Sequence, residues 1–179
     1  MFPPIIQTER LTLRPHKIED LDRLQVLLGD PDVMKHSGLD TNQNLKNADE
    51  ELHWFKGLDA GNTGIRWMIT LKDVDQYIGD LGFLEIDPEN KRAEVSYKLS
   101  QSHWNKGVTT EALKAILSYG FEELALNRVT AQVHIDNKAS LHVLKKLGFT
   151  VEGTLREHEY LYGQFADVFS LGLLKREFL

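Results

Sequence analysis

The chain has 179 residues, the length of one domain that can bury a core of its own, here taken as a single domain over residues 1–179. It contains no cysteine, which excludes disulfides, cysteine-ligated metals and a covalent thiol mechanism. A formal charge of −6 argues against a general nucleic-acid binder and suits a cationic substrate, and no apolar run approaches the roughly 20 residues of a membrane span.

Met1-Phe2-Pro3-Pro4-Ile5-Ile6 lacks the basic n-region and long apolar core of a signal peptide, so the expected location is the cytoplasm, away from any membrane. Thr8 to Pro15 alternates and stops at proline, which predicts a first strand. Ile18 to Gly29 reads as a helix with Leu21, Leu24 and Leu28 on one face and Asp30-Pro31 as its stop. A second helix is expected over Asn42 to Leu58, with Leu45, Leu52 and Phe55 inward. Ile65–Leu71 and Tyr77–Ile86 are two apolar runs around Lys72-Asp73-Val74-Asp75-Gln76, an expected antiparallel pair, and Pro88-Glu89-Asn90 then turns the chain.

From Glu94 to Leu99 the pattern has a period of two, with Val95, Tyr97 and Leu99 opposite Glu94, Ser96 and Lys98. Beyond Gly107 the period changes: Leu113, Ile116, Leu117, Phe121 and Leu124 fall three or four apart. A strand-to-helix turn of this kind leaves backbone N–H groups without intrahelical partners at the positive end of a helix, a geometry that holds phosphates. The same residues also describe a capped surface helix, with Thr109 or Thr110 as N-cap and Glu111 in the first turn.

A second strand–helix unit follows, Val129 to Ile135 and then a helix opened by Asp136-Asn137-Lys138-Ala139-Ser140 and closed by Gly148-Phe149. Thr150–Leu155 and Asp167–Leu174 are two further strands around Tyr160-Leu161-Tyr162-Gly163-Gln164. The outline is a mixed sheet of about seven strands with about four helices, α/β or α+β in layout. Asn137 suits an ordinary N-cap and Ser140 an ordinary first-turn residue. Glu94 suits the polar face of its strand, and Glu159 a solvated turn near Arg156. The seven histidines show no ligand spacing, so no metal is expected. Trp54, Trp67 and Trp104 suit core or groove walls.

The segment from Trp104 to Leu113 resembles the acetyl-CoA pyrophosphate loop of GCN5-related N-acetyltransferases, in particular the RimJ and RimL type that modifies ribosomal-protein N-termini. That loop is written Gln/Arg-x-x-Gly-x-Gly/Ala; here Trp104 stands first, Gly107 fourth and Thr109 last. Thr8-Glu9-Arg10-Leu11-Thr12-Leu13-Arg14 also resembles the opening of that branch, and the order of elements matches from Thr8 to about Leu174.

The resemblance implies a GNAT fold, mostly antiparallel and splayed between the family's fourth and fifth strands. It implies acetyl-CoA as co-substrate, bound by Tyr97, Lys98, Leu99, Trp104, Asn105, Lys106, Gly107, Val108, Thr109, Thr110, Asn137 and Ser140. By the same resemblance Ser140 protonates the departing thiolate; Leu144 stands where other branches place a tyrosine, which leaves Ser140 or a water for that step. Glu159 is the expected base, with Glu94 as the other candidate, and Tyr160 and Tyr162 line the acceptor groove. Lys145-Lys146 suits a helix C-terminus and is a secondary candidate for the adenosine 3′-phosphate.

The implied reaction is direct transfer to a primary amine in a ternary complex, the acceptor being a ribosomal-protein N-terminus. Polyamines, amino-acid analogues and aminoglycosides are the alternative acceptors, and family members are often dimers. A non-catalytic CoA sensor and a nucleotide-binding module are the remaining readings. The chain lacks both Gly-x-Gly-x-x-Gly and a Gly-Lys-Ser/Thr signature, which counts against the last.

Overall fold

The computed structural model describes residues 2–36 and 47–178. Among these residues one eight-stranded sheet carries helices on both faces. Its strands are β1 (Ile6–Gln7), β2 (Leu11–Arg14), β3 (Ile65–Leu71), β4 (Val74–Asp87), β5 (Arg92–Leu99), β6 (Arg128–His134), β7 (Thr150–Leu161) and β8 (Gln164–Leu174). The helices are α1 (Leu21–Leu28), α2 (Pro31–Met34), α3 (Ala48–Gly61), α4 (Val108–Glu122) and α5 (Lys138–Lys146). The spatial order is β1-β2-β3-β4-β5-β6-β8-β7, antiparallel everywhere except between β5 and β6.

The strand count exceeds the expected seven because the Thr8–Pro15 run begins with a turn. The Thr8 N–H donates to the Leu11 carbonyl at 3.0 Å, and the Leu11 N–H donates to the Thr8 hydroxyl at 3.0 Å. That local side-chain bond competes with the ladder and folds Ile6–Gln7 back as β1. The extra helix is α2. Asp30-Pro31 ends α1 as expected, and it also starts a new helix: the Asp30 carboxylate accepts from Asp32 N and Val33 N, and Pro31 stands where its missing N–H costs nothing. The expected Asn42–Leu58 helix is α3, which starts at Ala48 behind Asn47 as N-cap; residues 42–46 lie outside the described ones.

Period-two alternation gives the sheet two apolar faces. One carries Trp67, Leu81, Phe83, Val95 and Leu99 against Leu113, Ile116 and Leu117 of α4 and Leu144 of α5. The other carries Met68 and Tyr77 against Leu24, Leu28, Leu52 and Phe55 of α1 and α3. Trp67 is therefore core, as expected, while Trp54 and Trp104 are exposed.

Candidate active site

The site is built where β5 and β6 part. Their parallel pairing runs only through Arg92–Arg128, Ala93–Val129 and Glu94–Thr130. Beyond Glu94 strand β6 pairs with β8 alone, out to His134–Val168. The edge of β5 that faces β6 is left without a strand partner from Val95 to Leu99. Peptide N–H and C=O groups on such an edge are obligatory hydrogen-bonding groups awaiting a ligand or water. The wedge has Glu94 at its apex and Leu99 at its mouth.

At the mouth lies the turn into α4. Asn105 (φ 57) and Gly107 (φ 74) both take the left-handed region. Gly107 is the N-cap, in place of the expected Thr109 or Thr110, and no side chain caps the helix. The first helical bond is from the Glu111 N–H to the Gly107 carbonyl at 3.0 Å. Among the described residues, no acceptor takes the N–H groups of Val108, Thr109 and Thr110. A threonine N-cap would have occupied one of them; the glycine leaves all three, at the positive end of the helix, to an anion. Trp104 braces the turn, its Nε1–H donating to the Leu99 carbonyl at 2.7 Å. The Lys106 ammonium donates to the Ser102 carbonyl at 2.8 Å.

Helix α5 closes the wedge from the side. The Asn137 carboxamide oxygen accepts from the Ser140 N–H at 3.0 Å, which leaves the amide NH2 of Asn137 to donate elsewhere. The hydroxyls of Ser140 and Tyr97 lie 2.5 Å apart. Burial pushes the Tyr97 phenol up to about 12, with the Ser140 hydrogen bond opposing. Gly148 (φ 95) ends the helix as expected, and the Phe149 N–H donates to the Leu144 carbonyl at 3.0 Å.

The two carboxylates come to one neighbourhood. Burial raises the Glu94 carboxyl above its ordinary value; the charge of Glu85 adds to the rise, His158 opposes it and Glu159 adds again. Glu159 reaches this position through an irregularity in β7 between Leu155 and Glu159, where Glu157 turns to φ 51 and its N–H donates to the Asp167 carboxylate at 2.8 Å. Tyr162 and Gly163, both at positive φ, form the two-residue hairpin turn of β7 and β8. The rings of Tyr160 and Phe165 meet edge-on at 4.9 Å and stand exposed. Beside the hairpin a cleft of about 530 Å³ is lined by Tyr162, Gln164, Ile135, His134 and the end of α2 at Lys35 and His36.

Lys98 faces away from the wedge. Its ammonium donates to Glu51 of α3 at 2.5 Å, so only its backbone is available on the β5 edge. With Arg66, Asp80, Tyr77 and Ser96 it forms a buried network: Arg66 pairs with Asp80, Arg66 Nη1 donates to the Ser96 hydroxyl at 2.5 Å, and the Tyr77 hydroxyl donates to Asp80 at 2.6 Å. Sequence reasoning missed this network, although a charged residue inside the apolar Tyr77–Ile86 run was its signal. It also missed the pairing of His36 and His134, whose tilted rings lie 5.2 Å apart in the cleft. No group of three or more His, Asp or Glu among the described residues is placed to hold a metal.

Residues 10–150 match the acetyltransferase (GNAT) domain family. Over 173 residues the chain is 39% identical to the uncharacterized N-acetyltransferase p20 of Bacillus licheniformis, covering 97% of each chain. It is 33% identical over 105 residues to the ribosomal-protein-serine acetyltransferase of Escherichia coli, covering 59% of each. Its fold superposes on the spermidine N-acetyltransferase of Vibrio cholerae, solved in complex with CoA and spermine, with a TM-score of 0.84 at 23% identity, over 95% of this chain and 98% of that one. With the wedge, the open helix N-terminus and the matched length, the chain belongs to the GNAT acetyltransferases and is an acetyl-CoA-dependent N-acetyltransferase.

Proposed function

We propose that the chain acetylates the N-terminal α-amine of a protein, of the ribosomal-protein class, by direct attack within a ternary complex. The observation that carries this reading is the parting of β5 and β6 after Glu94–Thr130. It leaves a slot with an uncapped helix N-terminus at its mouth and two carboxylates at its apex. The diphosphate of acetyl-CoA lies on the N–H groups of residues 105–110, and the pantetheine arm runs along the free edge of β5 past Tyr97 to Leu99. The amide NH2 of Asn137 donates to that arm. The β5 edge polarises the thioester carbonyl.

The amine attacks only when neutral. An α-amine with a pKa near 8 is roughly one-tenth neutral at pH 7, whereas a lysine amine near 10.4 is neutral at about one part in a few thousand. Glu159 takes the ammonium proton, directly or through a water, as the N–C bond forms and the C–S bond breaks. Ser140 donates to the departing sulfur. No cysteine exists to carry an acyl-enzyme. Tyr160 and Tyr162 wall the acceptor's approach from the hairpin side.

The name of the Escherichia coli relative supports the protein acceptor. A small polyamine is the second reading, favoured by the acidic neighbourhood of Glu85, Glu94 and Glu159 and by the −6 charge. A screen of thiol release from acetyl-CoA decides between them, using ribosomal-protein N-terminal peptides, polyamines and aminoglycosides. Turnover of a peptide that is abolished by blocking its α-amine supports the first reading; turnover of spermidine alone refutes it.

A further inference from the structure

A carboxylate in the first turn of α4 poses an electrostatic problem. Glu111 suits the helix dipole, yet it would repel a diphosphate arriving at the same N–H groups. The chain answers it from the far end of the sheet. The Thr8 hydroxyl donates to Glu111 Oε1 at 2.6 Å, and the Arg10 N–H donates to the same oxygen at 2.9 Å. Arg10 Nε donates to Glu111 Oε2 at 2.6 Å. Burial alone would raise the Glu111 carboxyl, but the bonds from Thr8 and Arg10 hold it below its ordinary value, fully ionised and matched by a cation.

The guanidinium does more than neutralise. Its Nη1 donates to the Lys106 carbonyl at 2.9 Å, inside the turn, which ties that carbonyl to Arg10. Its Nη2 lies 3.4 Å from where a Cβ on Gly107 would stand, and among the described residues no acceptor takes it. The side chain is 46% exposed. The guanidinium is thus held by the Glu111 carboxylate and the Lys106 carbonyl beside the uncapped N–H groups, with one nitrogen free.

We infer that Arg10 is a phosphate-binding residue of the CoA site: Nη2 donates to a phosphate of CoA, while Nε and Nη1 hold Glu111 and Lys106 out of its way. This rests on the reading that CoA lies on residues 105–110. A charge-assisted bond from one nitrogen of a fixed guanidinium suits a phosphate oxygen. The donor comes from the β1–β2 turn, about a hundred residues from the loop it completes, so the loop motif alone does not reveal it.

The test measures CoA binding by calorimetry and acetyl transfer from acetyl-CoA and from S-acetylpantetheine, which has no phosphate. Arg10→Gln is expected to weaken CoA and raise the KM for acetyl-CoA by about tenfold, the size of one charge-assisted hydrogen bond, with kcat kept. Transfer from S-acetylpantetheine is expected to stay at the parent level, which damage to the fold would not spare. Dephospho-CoA separates the two phosphate sources. An equal loss with it places the contact on the diphosphate, and a loss confined to CoA places it on the 3′-phosphate; either supports the inference.

The double variant Arg10→Gln/Glu111→Gln removes the repelling charge as well, and it is expected to remain weak. Restored parent affinity would mean that Arg10 only neutralises Glu111, and would overturn the contact. Should Arg10→Gln fail to fold, Arg10→Lys keeps a charge but cannot serve three partners, and the same loss is expected of it. Amide exchange of residues 108–110 separates the levels of failure. If CoA protects those amides and both Arg10 variants bind CoA as the parent does, the Arg10 assignment alone falls; if CoA leaves the amides unprotected, the loop reading falls with it.

Discussion

The hydroxyl oxygens of Tyr97 and Ser140 lie 2.5 Å apart, joining β5 to the first turn of α5 across the open wedge. Either hydroxyl can donate in this pair, and burial pushes the phenol up to about 12. Tyr97 therefore keeps its proton at every working pH and can donate it to the serine oxygen. Ser140 is then left with its own proton to offer the sulfur. Ser140→Ala is expected to lower kcat by about a hundredfold and Tyr97→Phe by about tenfold, within the range of a positioned proton donor. The KM for acetyl-CoA should move little. Steady-state thiol release checks both variants, and a kcat at the parent level in Ser140→Ala would remove the serine from the reaction. The pH–rate profile should show no descending limb from Tyr97 below about pH 11, because loss of its proton sets in only near its raised value.

Glu94 and Glu159 feel one another, and removing each should have a different signature. Glu159→Gln is expected to cut kcat/KM by about a hundredfold, as loss of a general base does. Glu94→Gln should cost less activity and raise the melting temperature at pH 7. The sign follows from its raised folded value. For such a group the stabilising form is the protonated one, present below the unfolded value near 4.3 and lost as pH rises through the folded value. At neutral pH the ionised Glu94 is a burden that glutamine removes. The gain should vanish on acidification, which melting curves from pH 4 to 8 will read.

The Asp80 carboxylate is fully buried, paired with Arg66 and accepting from Tyr77. Burial alone would raise it, but Lys98 and Arg66 hold it below its ordinary value. A depressed acid contributes stability above its unfolded value near 3.9 that is lost as pH falls through the folded one. Asp80→Asn leaves Arg66 and Lys98 under-compensated in the interior, and it should destabilise the fold by about 3–5 kcal/mol. Urea unfolding at pH 7 measures the loss, and the difference between parent and variant should narrow as the pH falls toward 3.

The change of period at Gly107 placed β5, the turn and α4 correctly because strand and helix differ in how often they face the core. The same pattern misplaced the helix cap. Threonine is the better capping residue in general, but it cannot take the φ of 74 that this turn imposes as easily as glycine. Proline at 31 read as a stop because its action as a starter depends on what the Asp30 side chain reaches. A charge inside the apolar Tyr77–Ile86 run signalled a buried network, but the pairing of Arg66, Asp80, Lys98 and Glu51, like the Arg10–Glu111 bridge, was not legible, since each joins residues that meet only after the sheet has formed. Local pattern specifies elements; charge pairing between elements is a property of the assembled fold.

Gly107 supplies the last prediction. An alanine there would place its Cβ 3.4 Å from Arg10 Nη2, an ordinary contact, so space does not forbid it. The backbone does: a non-glycine residue in the left-handed region costs about 1–2 kcal/mol. For a chain of this size that lowers the melting temperature by roughly 2–8 °C. Relief of the strain would tilt the N–H groups of Val108 and Thr109 away from the diphosphate, so the KM for acetyl-CoA should rise while kcat holds. Gly107→Asn should be milder on both counts, because asparagine tolerates the left-handed region better than alanine. The ranking Gly, Asn, Ala in both melting temperature and acetyl-CoA affinity is the expected result. An alanine variant that melts and binds as the parent does would show that the turn does not depend on its left-handed cap.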